Sequence, residues 1–175
     1  MSLDPAAVGL TTAPHELEYD FRTVVLYALG IGAKADELDY LYEGRGPKVY
    51  PTFAVVPAYA PILALLGQTG GNLATMVHGA QTVTVEKPIP PAGRFVTTAR
   101  VTGVYDMKRL AQMLCATESR IDGEVICRTN SRRISSADVA GRPVTLATIG
   151  GAASRITSLP KQTAIPAAAD AISGE

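Results

Sequence analysis

An α+β fold, an antiparallel sheet laid over one apolar helix, is predicted by three features of this chain. Residues 52–66 are apolar at nearly every position, so a helix there has to be enclosed by other elements. Past Gly71 the apolar period changes from helical to two, the mark of strands with one buried face. Asp122-Gly123, set between two such runs, signals a hairpin. Strands that run together after a segregated helix argue for α+β over alternating parallel units.

The elements follow in order. Residues 1–14 are expected to be a tail, and a strand near 16–21 to precede the helices. From Asp20 to Ala33, apolar residues at 21, 24, 25, 28 and 29 share one helical face, and Gly30 and Gly32 stop that helix. Residues 34–50, polar and acidic with Tyr40, Tyr42 and Tyr50 among them, are expected to be irregular. Pro57 and Pro61 interrupt the apolar run. An interior proline costs a helix about 3 kcal/mol, so a bend is expected, or a helix that begins near one of them. Gly67, Gly70 and Gly71 end it. Strands are then expected at 81–86, 95–104, 110–121 and 124–134, with proline-rich 87–93 as a rigid turn between the first two. One domain over 15–149 results, and 150–175, rich in Ala, Ser, Thr and Pro without period, is expected to be a tail or linker.

Composition excludes several roles. A chain of 175 residues that is 47% hydrophobic supports one well-cored domain. Sixteen basic and sixteen acidic residues cancel, which leaves no basic footprint for nucleic acid and no attraction to an anionic membrane. The apolar run 53–66 is shorter than the ~20 residues of a bilayer span. MSLDPAAVGL lacks a basic segment ahead of a hydrophobic one, so a cytoplasmic location is expected. If Asp122-Gly123 is a two-residue turn, Glu118 pairs with Cys127 and Cys115 with Asn130, which sets the two cysteines on opposite faces as free thiols. These cysteines and His15 and His78 show no zinc spacing. No metal or cofactor is expected, and no phosphate loop, dinucleotide fingerprint or nucleophile elbow is present.

Five short motifs carry a resemblance by their order and spacing. They are Tyr27-Ala28-Leu29-Gly30-Ile31-Gly32-Ala33, Tyr42-Glu43-Gly44, Pro51-Thr52-Phe53, His78-Gly79 and Pro88-Ile89-Pro90-Pro91-Ala92-Gly93. Over residues 15–135 the chain resembles the N-terminal half of MaoC-like (R)-specific enoyl-CoA hydratases. The resemblance implies a hot-dog fold, a sheet wrapped round a central helix, and an acyl-CoA ligand. In that family the chemistry belongs to the C-terminal hot-dog, where an Asp and a His five residues apart activate water. Water adds to the enoyl double bond only if a base takes its proton while an acid supplies the α-carbon. Here Leu73 stands five positions before His78 and Leu10 five before His15, and the corresponding loop, 27–33, holds neither acid nor imidazole. No catalytic residue is therefore expected.

The substrate-binding candidates are Tyr27, Phe53, Tyr59, Leu63 and His78. Phe53, Tyr59 and Leu63 suit an acyl tunnel, and they equally suit ordinary core packing. His78 lacks a visible positioned partner, which suits a structural role. Arg94, Arg100, Arg128, Arg132 and Arg133 can meet coenzyme A phosphates or form a solvated sheet face. The leading expectation is a non-catalytic half of an (R)-specific 2-enoyl-CoA hydratase/3-hydroxyacyl-CoA dehydratase, partnered by a catalytic hot-dog domain or subunit, or a homodimer. The alternatives are a stand-alone homodimeric acyl-CoA thioesterase or hydratase, using His78 with Glu43 across the interface, and a non-enzymatic acyl-CoA-binding module. Fatty acids, sterol side chains and polyketides all suit such a tunnel.

Overall fold

The computed structural model describes residues 3–70, 74, 76–107 and 110–135, all within a unit that spans Met1–Val144. The expected domain end at 149 and the expected tail lie outside the described residues. In chain order the elements are β1 (His15–Tyr19), α1 (Phe21–Gly30), a single turn α2 (Leu38–Leu41), α3 (Val55–Gln68), β2 (Met76–Val85), β3 (Gly93–Asp106), β4 (Ala111–Ile121) and β5 (Glu124–Ser135). The strands make one sheet in the order β1-β3-β4-β5-β2, antiparallel throughout. α3 packs across one face of it, against β3, β4 and β1.

Local chemistry explains the helices. Asp20 caps α1, its Oδ1 accepting the Thr23 N–H at 3.0 Å, and that bond holds the carboxyl below the usual range. The helix ends where Gly32 turns to a φ of +95°, a backbone that side chains resist. α3 grows directly out of a 3-10 turn over Pro51–Ala54. Pro57 thus falls in its first turn, where no N–H is needed, and only Pro61 lies inside and removes a bond. Pro51–Gln68 is also the one helical stretch, among the described residues, long and apolar enough to cross a membrane, with 44% of it buried inside the fold.

Four expectations change. Residues 34–50 are not wholly irregular: around α2, Tyr40 stacks on Tyr50 at 3.9 Å, and the Tyr50 hydroxyl donates to Glu37 at 3.0 Å. The 87–93 segment does not turn between neighbouring strands. β5 and β4 lie between β2 and β3, so it carries the chain past the end of the sheet, held where the Tyr19 hydroxyl donates to the Pro90 carbonyl at 2.9 Å. The cysteines do not lie on opposite faces. A bulge between Ser119 and Arg120 puts Ser119 opposite Cys127 and Cys115 opposite Ser131, so both thiols point to the helix side, where both are buried and free. Residues 9–12, in the expected tail, run beside β3, the Thr12 N–H donating to the Ala99 carbonyl at 2.9 Å.

The sheet's inner face carries two apolar clusters. One joins Ile62 and Leu65 of α3 to Val101, Met113 and Cys115; the other joins Phe53 to Tyr19, Phe95, Ile126 and Cys127. Buried hydroxyls lie between them and satisfy each other, Thr97 with Ser119 at 2.9 Å and Thr117 with Thr129 at 2.8 Å.

Candidate functional site

α3 has two apolar faces, and this chain covers one. Pro57, Ala58, Pro61, Ile62, Leu65 and Leu66 are buried. On the opposite side Tyr59 is 62% exposed and Leu63 37%, with Ala60 and Gly67 exposed along the same stripe. The enclosure expected from the helix composition is thus only half supplied, because a single sheet covers a helix from one side.

At one edge of the sheet lies β2, which packs against the 3-10 turn that leads into α3 and whose Val77 is 64% exposed. His78 of β2 stands opposite Arg133 of β5, and Arg133 opposite Met113 of β4. Residues directly opposite in a ladder share a face, and Met113 lies in the core under α3, so His78 and Arg133 also face the helix side. Arg133 is half-buried. Its Nε, like the Oγ of its strand neighbour Ser131, is buried with no hydrogen-bond partner. Burial holds the guanidinium below its ordinary range, and the Cys115 thiol and the Tyr59 phenol act on it in the opposite sense.

The five candidates fall into two groups. Phe53 is 0% exposed, set edge-on to Tyr27 at 5.2 Å and tilted against Tyr19 at 5.3 Å. Tyr59 and Leu63 form the exposed stripe, and His78 is exposed on the sheet edge with Nε2 3.0 Å from the Ala80 carbonyl oxygen. Among the described residues every ion pair uses Lys or Arg, so neither histidine meets a carboxylate. Three His, Cys, Asp or Glu side chains nowhere gather as a metal site among those residues. The five arginines form no single patch: Arg94 pairs with Glu16, Arg128 with Glu118 and Glu86 at 3.0 and 2.6 Å, and Arg133 turns inward. A cleft of about 770 Å³ lies elsewhere, between Val49, Pro51 and the Pro88–Pro91 connection, and none of the five candidates lines it.

Arg133 and Ser131 are what pattern reading missed as a pair aimed at the helix side. The available signal was Gly79, since a glycine inside an alternating strand marks a bulge. A Cβ there would stand 2.8 Å from Ile134 Cδ1, and the register of β2 against β5 does shift between His78 and Ala80.

Comparison with known proteins agrees with this geometry. The family model of the MFE-2 hydratase 2 N-terminal domain matches residues 17–135. 3-Hydroxyacyl-thioester dehydratase Y of Mycobacterium tuberculosis is 32% identical over 110 residues, which are 61% of this chain and 37% of that protein. The chain spans less than half the length of the curated relatives it matches. A MaoC-like dehydratase from Phytophthora capsici superposes with a TM-score of 0.65 at 20% identity, over 81% of this chain and 52% of that one. A chain of the C-terminally truncated HadBC (3R-hydroxyacyl-ACP dehydratase) complex of Mycobacterium tuberculosis superposes at 0.64 and 12% identity, over 74% and 97%. The sheet laid over α3 is therefore a hot-dog fold, and the chain belongs to the MFE-2 hydratase 2 N-terminal domain family.

Proposed function

We propose that this chain is a non-catalytic hot-dog half or subunit of an (R)-specific 2-enoyl-CoA hydratase, in reverse a 3-hydroxyacyl-CoA dehydratase, and that it shapes the acyl-chain pocket beside a catalytic hot-dog. The observation that carries this reading is the exposed apolar stripe of α3, Tyr59 and Leu63, in a fold whose sheet covers only the helix's other side. Contiguous apolar surface of this kind marks an interaction site. A second hot-dog would cover it and leave between the two units an apolar space lined by Tyr59 and Leu63. Membership of an N-terminal hydratase domain family supports the same view.

Hydration joins the water oxygen to the β-carbon of the enoyl group and delivers a proton to the α-carbon. A base and an acid must be poised together for this. His15 and His78 meet no carboxylate among the described residues, which supports assigning both proton transfers to the partner. The test is hydration of short-chain and long-chain enoyl-CoA by the purified chain alone. No turnover is expected, and turnover that tracks the protein through purification would overturn the proposal.

A second reading, a stand-alone homodimeric thioesterase or hydratase using His78 and Glu43, draws on both residues being exposed and so able to meet across an interface. His78→Ala would then lower turnover by the chain itself roughly a hundredfold or more.

A further inference from the structure

The cleft of about 770 Å³ lies between two segments, residues 40–51 and residues 85–91, and neither Tyr59 nor Leu63 of the α3 stripe lines it. Its volume and mostly apolar lining are those of a small-molecule site. Val49, Val85 and Ile89 line it and belong to the second core cluster or pack against it. Tyr40 is held by its stack on Tyr50 at 3.9 Å, and the Tyr50 hydroxyl by Glu37 at 3.0 Å. Tyr40 therefore offers the cleft its other face or its edge, and either takes a flat ring. The second segment adds Pro88, Pro90 and Pro91, stiff rings without an N–H, and the Pro90 carbonyl already accepts from Tyr19 at 2.9 Å.

The charged groups of the cleft are unequally engaged. The Glu86 carboxylate accepts from Arg128 at 2.6 Å, and the backbone N–H groups of Glu86 and Lys87 donate to the Ile126 carbonyl at 2.8 and 3.4 Å. An ammonium carries three donors. Lys48 uses one on Asp39 at 2.8 Å, and Lys87 one on Glu124 at 2.7 Å. Asp39 also meets Arg45 at 3.4 Å, so two cations divide one carboxylate, whereas Glu124 serves Lys87 alone. The Lys48 side chain is 66% exposed, and surface pairs of this kind are weak enough to open for another anion.

We propose that this cleft binds a small organic anion, a flat ring system seated against Tyr40 and the prolines, whose single acidic group, a carboxylate or sulfonate, is held by Lys48. The apolar lining takes the rings, and the spare ammonium donors of Lys48 take the charge. A neutral ring compound would leave those donors to water, and a small inorganic anion would leave the apolar walls uncovered. The inference does not rest on the hydratase reading and uses none of the residues to which that reading gives a role.

The test is fluorescence titration of the purified chain with anilinonaphthalene sulfonate and with phenylnaphthylamine, which has the same rings without the sulfonate. Saturable binding of the sulfonate is expected, about fivefold weaker in Lys48→Gln, while the uncharged probe changes by less than about twofold. Tyr40→Ala should weaken both probes about threefold or more. Thermal melts check that each variant is folded, and Lys48 is exposed, so Lys48→Gln carries the test even where Tyr40→Ala fails to fold. A chain with Tyr59→Ser and Leu63→Ser together locates the probe, and sulfonate binding should survive in it. Sulfonate binding that does not saturate, that is the same in Lys48→Gln, or that is lost with the two α3 substitutions overturns the proposal.

Discussion

Ser119 of β4 stands directly opposite Cys127 of β5, because the bulge between Ser119 and Arg120 inserts one residue into the hairpin. That single residue turns Cys127 inward, onto the face that already holds Cys115, and leaves both thiols with almost no exposed surface, 0% and 1%. Burial pushes the Cys115 thiol up to about 11 and raises Cys127 as well. Tyr19, buried against the second cluster with Cys127 as a minor influence, is pushed up to about 12.

Alkaline sensitivity follows. A thiol or phenol whose folded pKa lies above its unfolded value contributes stability fully below the unfolded pKa and loses it as pH rises toward the folded one. For Cys115 the loss runs from about pH 9 to about 11, and for Tyr19 from about 10 to about 12. Each is worth about 2–3 kcal/mol at most. Urea midpoints should be flat up to pH 8 and fall steadily above 9, and Cys115→Ala should flatten part of that fall. A midpoint that rises with pH above 9 would contradict the burial argument. Ellman's reagent should react slowly with the native protein and at once with the unfolded chain.

The aromatic cluster sets the stability of the α1 end. Phe53, fully enclosed between Tyr19 and Tyr27, has no room to be replaced, so Phe53→Ala should cost about 3–5 kcal/mol in chemical denaturation. Tyr19→Phe keeps the ring stacked on Phe95 at 5.1 Å and loses only the bond to the Pro90 carbonyl. About 1 kcal/mol is expected.

Much of this fold was legible in the chain because each long element has one clean period. α1 ended at its glycines, β3 and β4 alternated as their burial does, and the Asp122-Gly123 turn fell where its dipeptide placed it. What escaped was whatever depends on parity after a bulge. Cys127 changed face at the Ser119/Arg120 bulge, and β2 began at Met76 instead of 81 because the bulge at Gly79 breaks the alternation. The candidate site was legible only in pieces. Tyr59 and Leu63 were named for being apolar, but their exposure depends on which side of α3 the sheet covers. Arg133 looked like one surface arginine among five, since sequence spacing does not show that its register partner is the buried Met113.

The buried hydroxyl pair offers a cycle with an unusual sign. Thr117 and Thr129 are both buried and share one bond of 2.8 Å. Thr117→Val strands the Thr129 hydroxyl, and either single change should cost about 1–3 kcal/mol. Replacing both by Val removes donor and acceptor together at nearly constant shape. The double variant should therefore be more stable than either single one, close to the wild type, which urea titration of the four proteins reads directly. Additive losses would mean that water or another group already serves these hydroxyls.

The two faces of α3 make opposite predictions for neighbouring residues. Ile62 packs into the first cluster at 2% exposure, whereas Leu63, the next residue, is 37% exposed and Tyr59 is 62% exposed. Ile62→Ala should destabilise the isolated chain by about 2–5 kcal/mol. Tyr59→Ser and Leu63→Ser should each change it by no more than about 0.5 kcal/mol, because water already reaches both side chains. On the proposed pairing, the order should reverse once a catalytic hot-dog is bound. Truncating an anchor at the centre of an interface costs about 2 kcal/mol or more in binding, and a large exposed tyrosine is the kind of residue that serves as one. Urea titration of the isolated chain beside titration calorimetry with the catalytic partner separates the two quantities for each variant. A Tyr59→Ser chain as unstable alone as Ile62→Ala would mean that the stripe is already covered within this chain, and the case for a docked half would fail with it.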